Sequence, residues 1–371
     1  MGIWHGESPG ANPLVLWLAK RIQEACWTPG DFSRQRRKGL PRFFRLFMSK
    51  STSFRVAFAC DCRALVLSAT LLVLLTALAF PARAQTGWPV VVSDAFRRSV
   101  TIESEPKRII SLSPSNTEIL FAIGAGDRVV GVTTFCNFPP EAATRARVGG
   151  FAGSTVNLEM VIALRPDLVV AGDEHHRAVI DALSRKAIPA ISIKAGNISE
   201  VYDSIRLIGR ATGGLREAEE LVKSMQARVN AVASRAAAIR PVDRVRVYWE
   251  VFDAPLITSG RNSFIGQLIE MAGGVNVFAD IDAEFPQVNT ESVIARDPQV
   301  ILGPEVPGVD ELTLEKVRAR KGWGGIDAVR NGRVYALSGD LTSRPGPRLV
   351  DGLELVARTL YPRLFPAAAT Q

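Results

Sequence analysis

The chain has 371 residues and a formal net charge of +8, a balance that in many proteins points to a nucleic-acid partner. Residues 1–84 hold twelve Lys and Arg but four Asp and Glu, so the whole excess lies there. The remaining 287 residues are neutral overall and numerous enough for two hydrophobic cores, which argues against nucleic acid and for two domains.

Residues 1–84 have the organisation of a secretory leader. A basic segment precedes an apolar run from Ala64 to Phe80, and Ala82-Arg83-Ala84 fits the small-residue cleavage pattern. The apolar run is shorter than the roughly 20 residues of a membrane-spanning helix. We therefore expect cleavage after Ala84 and export. Without a lipid anchor, the exported chain would diffuse away from a cell with one membrane, so we expect a periplasm that is bounded by an outer membrane.

Two further features of the leader bear on processing. Cys60 and Cys62 precede the apolar run, whereas a lipid-modified cysteine would follow it, so we expect no lipid anchor. Residues 1–47 are rich in Lys and Arg and show no packing pattern, which suggests that Met48 is the true initiator.

Cys136 is the only cysteine beyond the leader, so the mature chain cannot form an internal disulfide. A lone cysteine in an exported protein is either buried or reactive. Phe135 and Phe138 flank it, and we therefore predict a buried thiol.

Strands and helices alternate in the first part of the mature region, as in a parallel α/β sheet. The first helix is predicted to end at Gly124, and Ser115 and Glu118 have the spacing of a capping box at its start. The other predicted elements are a hairpin over 90–102, strands over 108–112, 129–132 and 190–193, and a helix over 178–185.

A 15-residue segment occurs twice, at 156–170 and again 132 residues later at 288–302. In each copy an Asn caps a short helix, a Pro prevents its continuation, and a β-branched apolar run predicts a strand buried on both faces. Two copies this far apart indicate duplicated lobes rather than a solenoid. Glu159 and Glu291 stand at the same position in the first turn of the equivalent helices.

Between the repeats the pattern changes to long helix. Segments 200–211 and 215–239 are separated by Gly213-Gly214, and the second would span ~37 Å, enough to cross between lobes. We predict two similar Rossmann-like α/β lobes joined by a long rigid helix, with a ligand cleft between them. The expected parts are a leader (1–84), an N-terminal lobe (85–198), a linking helix (199–240) and a C-terminal lobe with a terminal helix (241–371).

Asp173-Glu174-His175-His176 is the cluster that would suggest a metal-dependent enzyme. Adjacent residues of an extended segment point in opposite directions, and the other histidine, His5, lies in the leader. The chain also has no nucleophile elbow and no phosphate-binding glycine loop. These residues therefore do not predict an enzyme.

Three further motifs carry a family resemblance: Ile110-Ser111-Leu112-Ser113-Pro114-Ser115-Asn116-Thr117-Glu118, Phe135-Cys136-Asn137-Phe138-Pro139-Pro140 and Ser343-Arg344-Pro345-Gly346-Pro347-Arg348. With the two repeats, they make residues 105–362 resemble the helix-linked solute-binding proteins of ABC importers, which carry cobalamin, ferric siderophores or haem. The chain is most similar to the cobalamin-binding branch. The resemblance implies a monomer that delivers a small metal chelate to a permease dimer with ATPase subunits at the inner membrane.

The resemblance also implies which residues touch the ligand. A corrinoid is a broad, partly apolar ring fringed with amides, so it suits flat aromatic surfaces and a few polar contacts. Core packing for the phenylalanines and a surface salt bridge for Arg344 are the alternatives. The implied contacts are aromatic Phe135, Phe151 and Phe285, the polar pair Asp340 and Arg344 on the rim of the second lobe, and Ser115 at the first helix.

Glu159 and Glu291 match the carboxylates that dock onto permease arginines in this family, and a two-fold partner needs one from each lobe. The alternative is that each only complements the N-terminus of its helix. One departure from the cobalamin branch is Gly172 with its polar run, at a place where a Trp can occur. It leaves open a ferric siderophore or haem as ligand, and an axial contact from His175 or His176 to the metal of the bound chelate. The resemblance implies a binding protein with no covalently bound cofactor, and the sequence does not exclude delivery to a sensor.

Overall fold

The computed structural model describes residues 87–305 and 311–366. The predicted leader, with Met48 and the Ala84 cleavage site, lies outside the described residues. The predicted hairpin, strands and helices of the first lobe are confirmed within a few residues. In chain order they are β1 (Val90–Ser93), β2 (Ser99–Ile102), β3 (Ile109–Ser111), α1 (Pro114–Ala122), β4 (Val129–Val132), β5 (Ala146–Arg147), α2 (Leu158–Ala163), β6 (Leu168–Ala171), α3 (Arg177–Ser184) and β7 (Ala190–Ser192).

Five strands of this lobe form one parallel sheet in the order β5-β4-β3-β6-β7, while β1 and β2 pair with each other as an antiparallel hairpin. The central strands β3 and β6 are buried along their whole length, as expected when both faces of a parallel sheet are covered. Because the strands are parallel, their carboxyl ends meet at one edge, where open α/β sheets bind ligands.

Two helices connect the lobes, α4 (Ile198–Thr212) and α5 (Leu215–Ala236). Gly213 separates them in a left-handed conformation with φ of 79°, which a glycine adopts without strain. Helix α4 packs against α1 and β1 of the first lobe. Helix α5, with 22 residues or ~33 Å, packs on two helices of the second lobe, Phe264–Met271 and Leu349–Leu360.

The second lobe also has a five-stranded sheet, in which β10-β8-β11-β12 are parallel in that order and β9 is antiparallel to β8. No helix in the described ranges is long and apolar enough to cross a membrane. The elements are β8 (Arg246–Asp253), β9 (Leu256–Thr258), α6 (Phe264–Met271), β10 (Val275–Asn276), α7 (Thr290–Arg296), β11 (Val300–Glu305), α8 (Leu314–Ala319), α9 (Asp327–Arg330), β12 (Val334–Ser338), α10 (Gly339–Thr342) and α11 (Leu349–Leu360).

The two copies of the repeated segment fold alike. The side-chain oxygens of Asn157 and Asn289 accept hydrogen bonds from the backbone N–H groups of Met160 and Ser292, at 2.9 and 2.8 Å, and so cap α2 and α7. The following strands, β6 and β11, lie inside their sheets with partners on both sides. The predicted fold, two α/β lobes joined by a long helix, is therefore confirmed.

The predicted capping box at the start of α1 is wrong. The capping residue is Ser113, whose hydroxyl accepts the backbone N–H of Asn116 at 3.3 Å. Ser115 is inside the helix, and its hydroxyl lies 3.0 Å from that of Ser113. Glu118 turns away from the cap because two arginines of the second lobe, Arg344 and Arg348, pair with its carboxylate.

Cys136 is buried as predicted, but its neighbours differ from those expected. The flanking Phe135 and Phe138 are exposed. The sulfur instead lies 3.1 Å from the hydroxyl oxygens of both Thr117 and Thr133. The thiol therefore anchors the 133–138 loop to helix α1 through polar contacts.

Candidate ligand-binding cleft

A cleft of about 530 Å³ lies between the two lobes. Its lining follows the carboxyl ends of β3, β6 and β7 in the first sheet and of β11 and β12 in the second. This is the position that parallel α/β sheets favour for ligands. All six residues predicted to contact the ligand line it: Ser115, Phe135, Phe151, Phe285, Asp340 and Arg344. Their contact with a ligand stays a prediction.

Three phenylalanine rings face this cleft from loops rather than from the core. The exposed fractions are 57% for Phe135, 42% for Phe151 and 41% for Phe285. Core packing, the alternative for these residues, would leave them buried. Phe285 is braced by Phe264, edge to face, with the ring centroids 6.4 Å apart. The rings thus present apolar surface from both lobes to one volume.

The position of Phe151 is set by a tight contact between two loops of the first lobe. Gly149 has φ of 108° and pairs with Val156, which closes the loop that carries the ring. A side chain at Gly153 would come within 2.1 Å of the carbonyl oxygen of His175, so the two loops approach at a residue that must be small. The Phe151 ring packs edge to face on that of His176, with centroids 5.8 Å apart.

The structure separates the two adjacent histidines. His175 is exposed and lines the cleft, whereas His176 is fully buried and does not. The Nδ1 atom of His176 accepts the backbone N–H of Gly172 at 3.1 Å, which requires a neutral ring. His176 is therefore not placed to bind the metal of a ligand, and an axial contact from His175 stays a prediction.

Burial is the main cause that lowers the pKa of His176 below its ordinary value of 6.5. The charge of His175 acts in the same direction. The backbone carbonyl of Phe151 and the carboxylate of Asp173 oppose it by favouring the protonated ring. The outcome is a neutral imidazole beneath the Phe151 loop at neutral pH.

The rim of the cleft is closed by a network that joins the lobes. Arg344 pairs with Asp340 at 2.6 Å and donates to the side-chain oxygen of Asn137 at 2.6 Å. Asn137 in turn donates to the second carboxylate oxygen of Asp340 at 2.9 Å. Arg344 also donates to the backbone carbonyl of Phe135 at 3.3 Å. Arg344 thus forms an ion pair within the second lobe and hydrogen bonds to the first, and its side chain is only 15% exposed.

A second interlobe contact lies beside this rim. The carboxylate of Glu118 on α1 accepts two hydrogen bonds from Arg348, at 2.6 and 2.9 Å, and is itself 3% exposed. The Arg348 guanidinium also lies 3.9 Å from the centroid of the Phe138 ring. A buried, bidentate pair with a stacked aromatic ring is a specific geometry. It fixes the second lobe against the loop that carries Phe135.

Sequence reasoning missed several residues of the cleft. Lys194, Phe264, Glu284 and Glu305 also line it. A usable signal existed for two of them, because Lys194 follows β7 closely and Glu305 ends β11, so both lie at carboxyl ends of parallel strands. Glu284 precedes Phe285 in a loop and had no such signal.

Glu159 and Glu291 are both exposed and occupy the same position in the first turns of α2 and α7. Neither carboxylate has an ion-pair partner within residues 87–305 and 311–366. The described part of the chain also contains no group of three His, Cys, Asp or Glu residues arranged to hold a metal ion. Docking by the two glutamates stays a prediction.

A sequence model described as periplasmic binding protein matches residues 109–341, which is most of the region that forms the two lobes. The chain belongs to the periplasmic binding protein family. This is a family of binding proteins, so the prediction of a binding protein rather than an enzyme is confirmed. The family is extracytoplasmic, and this member is the solute-binding component of an ABC importer, which implies a permease and an ATPase as partners.

The names of similar proteins indicate different ligands, or none. An uncharacterised ABC transporter substrate-binding lipoprotein of Bacillus subtilis is 38% identical over 283 residues, covering 75% of this periplasmic binding protein and 87% of the relative. A cobalamin-binding protein of Halobacterium salinarum is 32% identical over 280 residues, covering 74% of each chain. A crystal structure from Staphylococcus epidermidis, described as a possible iron-binding periplasmic protein, is 30% identical with a TM-score of 0.62, covering 70% of this chain and 100% of the other.

Proposed function

We propose that this periplasmic binding protein captures a corrinoid, cobalamin, in the cleft between its lobes and delivers it to the permease. The observation that carries the proposal is the set of three exposed phenylalanine rings around one cleft of about 530 Å³. A broad and partly apolar ring system can cover all three at once, and burial of that aromatic surface favours binding. The cobalamin-binding relative from Halobacterium supports the same ligand.

The rim suits the polar fringe of such a ligand. Asp340, Arg344 and Asn137 offer carboxylate, guanidinium and amide groups at one side of the cleft. Ser115 adds a hydroxyl at the first turn of α1. A few polar groups around an apolar pocket are the usual arrangement that orients a small ligand.

An iron chelate or haem is the second candidate. His175 favours it, because its exposed imidazole lines the cleft and neutral imidazole binds both iron and cobalt. The Staphylococcus structure supports it as well. Tyr248, a residue type that can also bind haem iron, is fully buried in β8 and does not line the cleft.

The partner is proposed to be a two-fold permease dimer, with ATPase subunits at the inner membrane, that receives one carboxylate from each lobe, Glu159 and Glu291. The protein is proposed to act as a monomer, with lobes at 85–198 and 241–371 and a connection at 199–240. We place it in the periplasm without a lipid anchor, although the Bacillus relative is a lipoprotein. The mass of the exported protein tests this, because cleavage after Ala84 without lipid predicts the mass of the chain from Gln85.

Isothermal titration calorimetry on the exported, mature protein tests the ligand. Cyanocobalamin, a ferric hydroxamate siderophore and haemin are titrated in turn. Saturable binding of cyanocobalamin alone supports the proposal. Binding of haemin or the siderophore without cyanocobalamin supports the second candidate, and overturns the corrinoid assignment while the importer role stands.

A further inference from the structure

More acidic than basic side chains line the cleft. Among the described residues the lining includes four carboxylates, Asp173, Glu284, Glu305 and Asp340, but two basic side chains, Lys194 and Arg344. The carboxylates come from both lobes, so the excess of negative charge surrounds the cleft and does not lie in one patch.

Both basic side chains are already engaged. Arg344 pairs with Asp340 at 2.6 Å and with Glu118 at 3.4 Å, and Lys194 lies 3.7 Å from the carboxylate of Glu200. These contacts neutralise the two cations locally. An anionic ligand would therefore have to displace an existing partner to gain an ion pair.

Three of the carboxylates remain uncompensated. Asp173, Glu284 and Glu305 have no ion-pair partner in the ranges that the structure describes, and the last two are exposed. Glu284 reaches across to the first lobe, since a side chain added at Gly196 would meet its Oε1 atom at 2.8 Å. The uncompensated carboxylates of Asp173 in the first lobe and of Glu284 and Glu305 in the second thus face the cleft from both sides, which favours a cation between the lobes.

From this arrangement we propose that the cleft selects among corrinoids by charge and binds a positively charged corrinoid more tightly than a neutral one. The inference rests on the proposed function, because it concerns the same cleft and the same ligand class. Replacing cyanide by water at the cobalt adds one positive charge and leaves the corrin ring, its amides and its nucleotide unchanged. Aquocobalamin and cyanocobalamin therefore differ in net charge, to which the carboxylates of the cleft respond.

The size of the preference follows from distance and screening. A unit charge about 10 Å from two uncompensated and exposed carboxylates, at an effective dielectric constant of about 50–80, gains roughly three- to tenfold in affinity at low ionic strength. At about 0.5 M salt the screening length is a few ångströms, and the preference should fall below about twofold.

Calorimetric titration of the mature protein with aquocobalamin and cyanocobalamin tests the proposal, at a pH where the cobalt-bound water is protonated. The ratio of the two affinities is measured at low and at high salt. Glu284→Gln and Glu305→Gln should each reduce the ratio about twofold at low salt. Glu315→Gln, on helix α8 and away from the cleft, should leave it unchanged.

Coordination is the competing explanation, because an imidazole can replace water at the cobalt more easily than it replaces cyanide. His175→Gln separates the two. A preference that persists in His175→Gln, weakens in salt and weakens in the glutamate variants supports charge selection. Charge selection is overturned if the preference for aquocobalamin does not change with salt and is lost in His175→Gln. In that case binding to the wild type also shifts the cobalt absorption spectrum, and the shift is lost in His175→Gln.

Two further outcomes separate a failure of charge selection from a failure of the proposed function. Equal affinities for the two corrinoids at low salt overturn charge selection and leave cobalamin binding intact. Binding of neither corrinoid overturns the proposed function itself.

Discussion

At the scale of single residues, Phe151 gives the sharpest test of the aromatic cleft. Phe151→Ala removes an exposed ring that a corrinoid would cover, so we expect binding to weaken about tenfold, on the order of 1.5 kcal/mol. Phe252→Ala is the matched control, because Phe252 is similarly exposed, at 47%, but does not line the cleft. Calorimetric titration of both variants with cobalamin gives the comparison. An equal loss in both, or no loss in Phe151→Ala, would contradict the role given to this ring.

A second residue-scale prediction concerns His176 and stability. Well above pH 6.5 the ring is neutral in the folded and the unfolded chain, so it adds no pH dependence there. Below that value the unfolded chain binds a proton that the folded chain does not, because burial has lowered the pKa in the folded state. The free energy of unfolding should therefore fall by up to about 1.4 kcal/mol per pH unit, until the folded pKa is reached.

Urea denaturation between pH 5 and 8 measures this effect. His176→Asn keeps an acceptor for the N–H of Gly172 but cannot titrate, so its stability should change less with pH than that of the wild type. His175→Gln, in an exposed neighbour, should keep the wild-type slope. If His176→Asn keeps that slope as well, the buried neutral ring is not its source.

At the scale of elements, the contact between α1 and the segment before α11 should contribute strongly to stability. The Glu118 side chain is 2% exposed and that of Arg348 18%, so Arg348→Met leaves a buried carboxylate with its principal partner removed. Loss of one partner of such a pair costs about 3–5 kcal/mol, whereas replacing both with uncharged residues costs much less. Combining Arg348→Met with Glu118→Gln should therefore recover most of the loss.

A double-mutant cycle in urea denaturation tests this coupling. The control is the pair of Arg296 and Asp280, which has the same bidentate form but whose carboxylate side chain is 61% exposed. Asp280→Asn should leave the denaturation midpoint almost unchanged, because exposed ion pairs contribute little. Additive losses in the Glu118 and Arg348 variants would show that the two residues act independently.

The same elements show what the sequence could and could not predict. The repeated helix and strand were predictable because their signals are local: an Asn cap, a Pro and an apolar run within 15 residues. The Glu118–Arg348 pair was not, because its members are 230 residues apart and Glu118 has the spacing of a local capping box. The capping-box rule assigned Glu118 to the N-terminus of its own helix. In the folded protein its carboxylate instead accepts two hydrogen bonds from Arg348 of the second lobe.

The cleft itself was predicted to an intermediate extent. Family resemblance named residues as far apart as Ser115 and Arg344, and the structure brings them to one volume. Its charge balance could not be predicted, because Lys194 and Glu284 have no common sequence signal. Whether a carboxylate is neutralised depends on contacts across the lobes, as the pairing of Arg344 with Glu118 shows. Charge selectivity is therefore a property of the assembled cleft.

At the scale of the whole molecule, the duplication predicts two equivalent contacts with a two-fold partner. Glu159 and Glu291 are exposed, occupy matching positions in α2 and α7, and do not line the cleft. Glu159→Gln and Glu291→Gln should therefore each weaken association with the permease about tenfold and the double variant far more, while cobalamin affinity stays the same. Uptake by membrane vesicles containing the permease, measured beside calorimetric titration, separates delivery from capture.

The competing explanation is that each glutamate only complements the N-terminus of its helix, and Glu315 provides the control for it. Glu315 is also exposed in the first turn of a helix, α8, whose cap is the side chain of Thr313, but it is not part of the repeated segment. Glu315→Gln should lose the same small helix-dipole contribution and leave uptake unchanged. If the three single variants reduce uptake equally, or if Glu159→Gln and Glu291→Gln leave it at the wild-type rate, docking through the repeated glutamates is wrong. A loss confined to these two variants would tie the duplicated segment to delivery, with one anionic contact from each lobe.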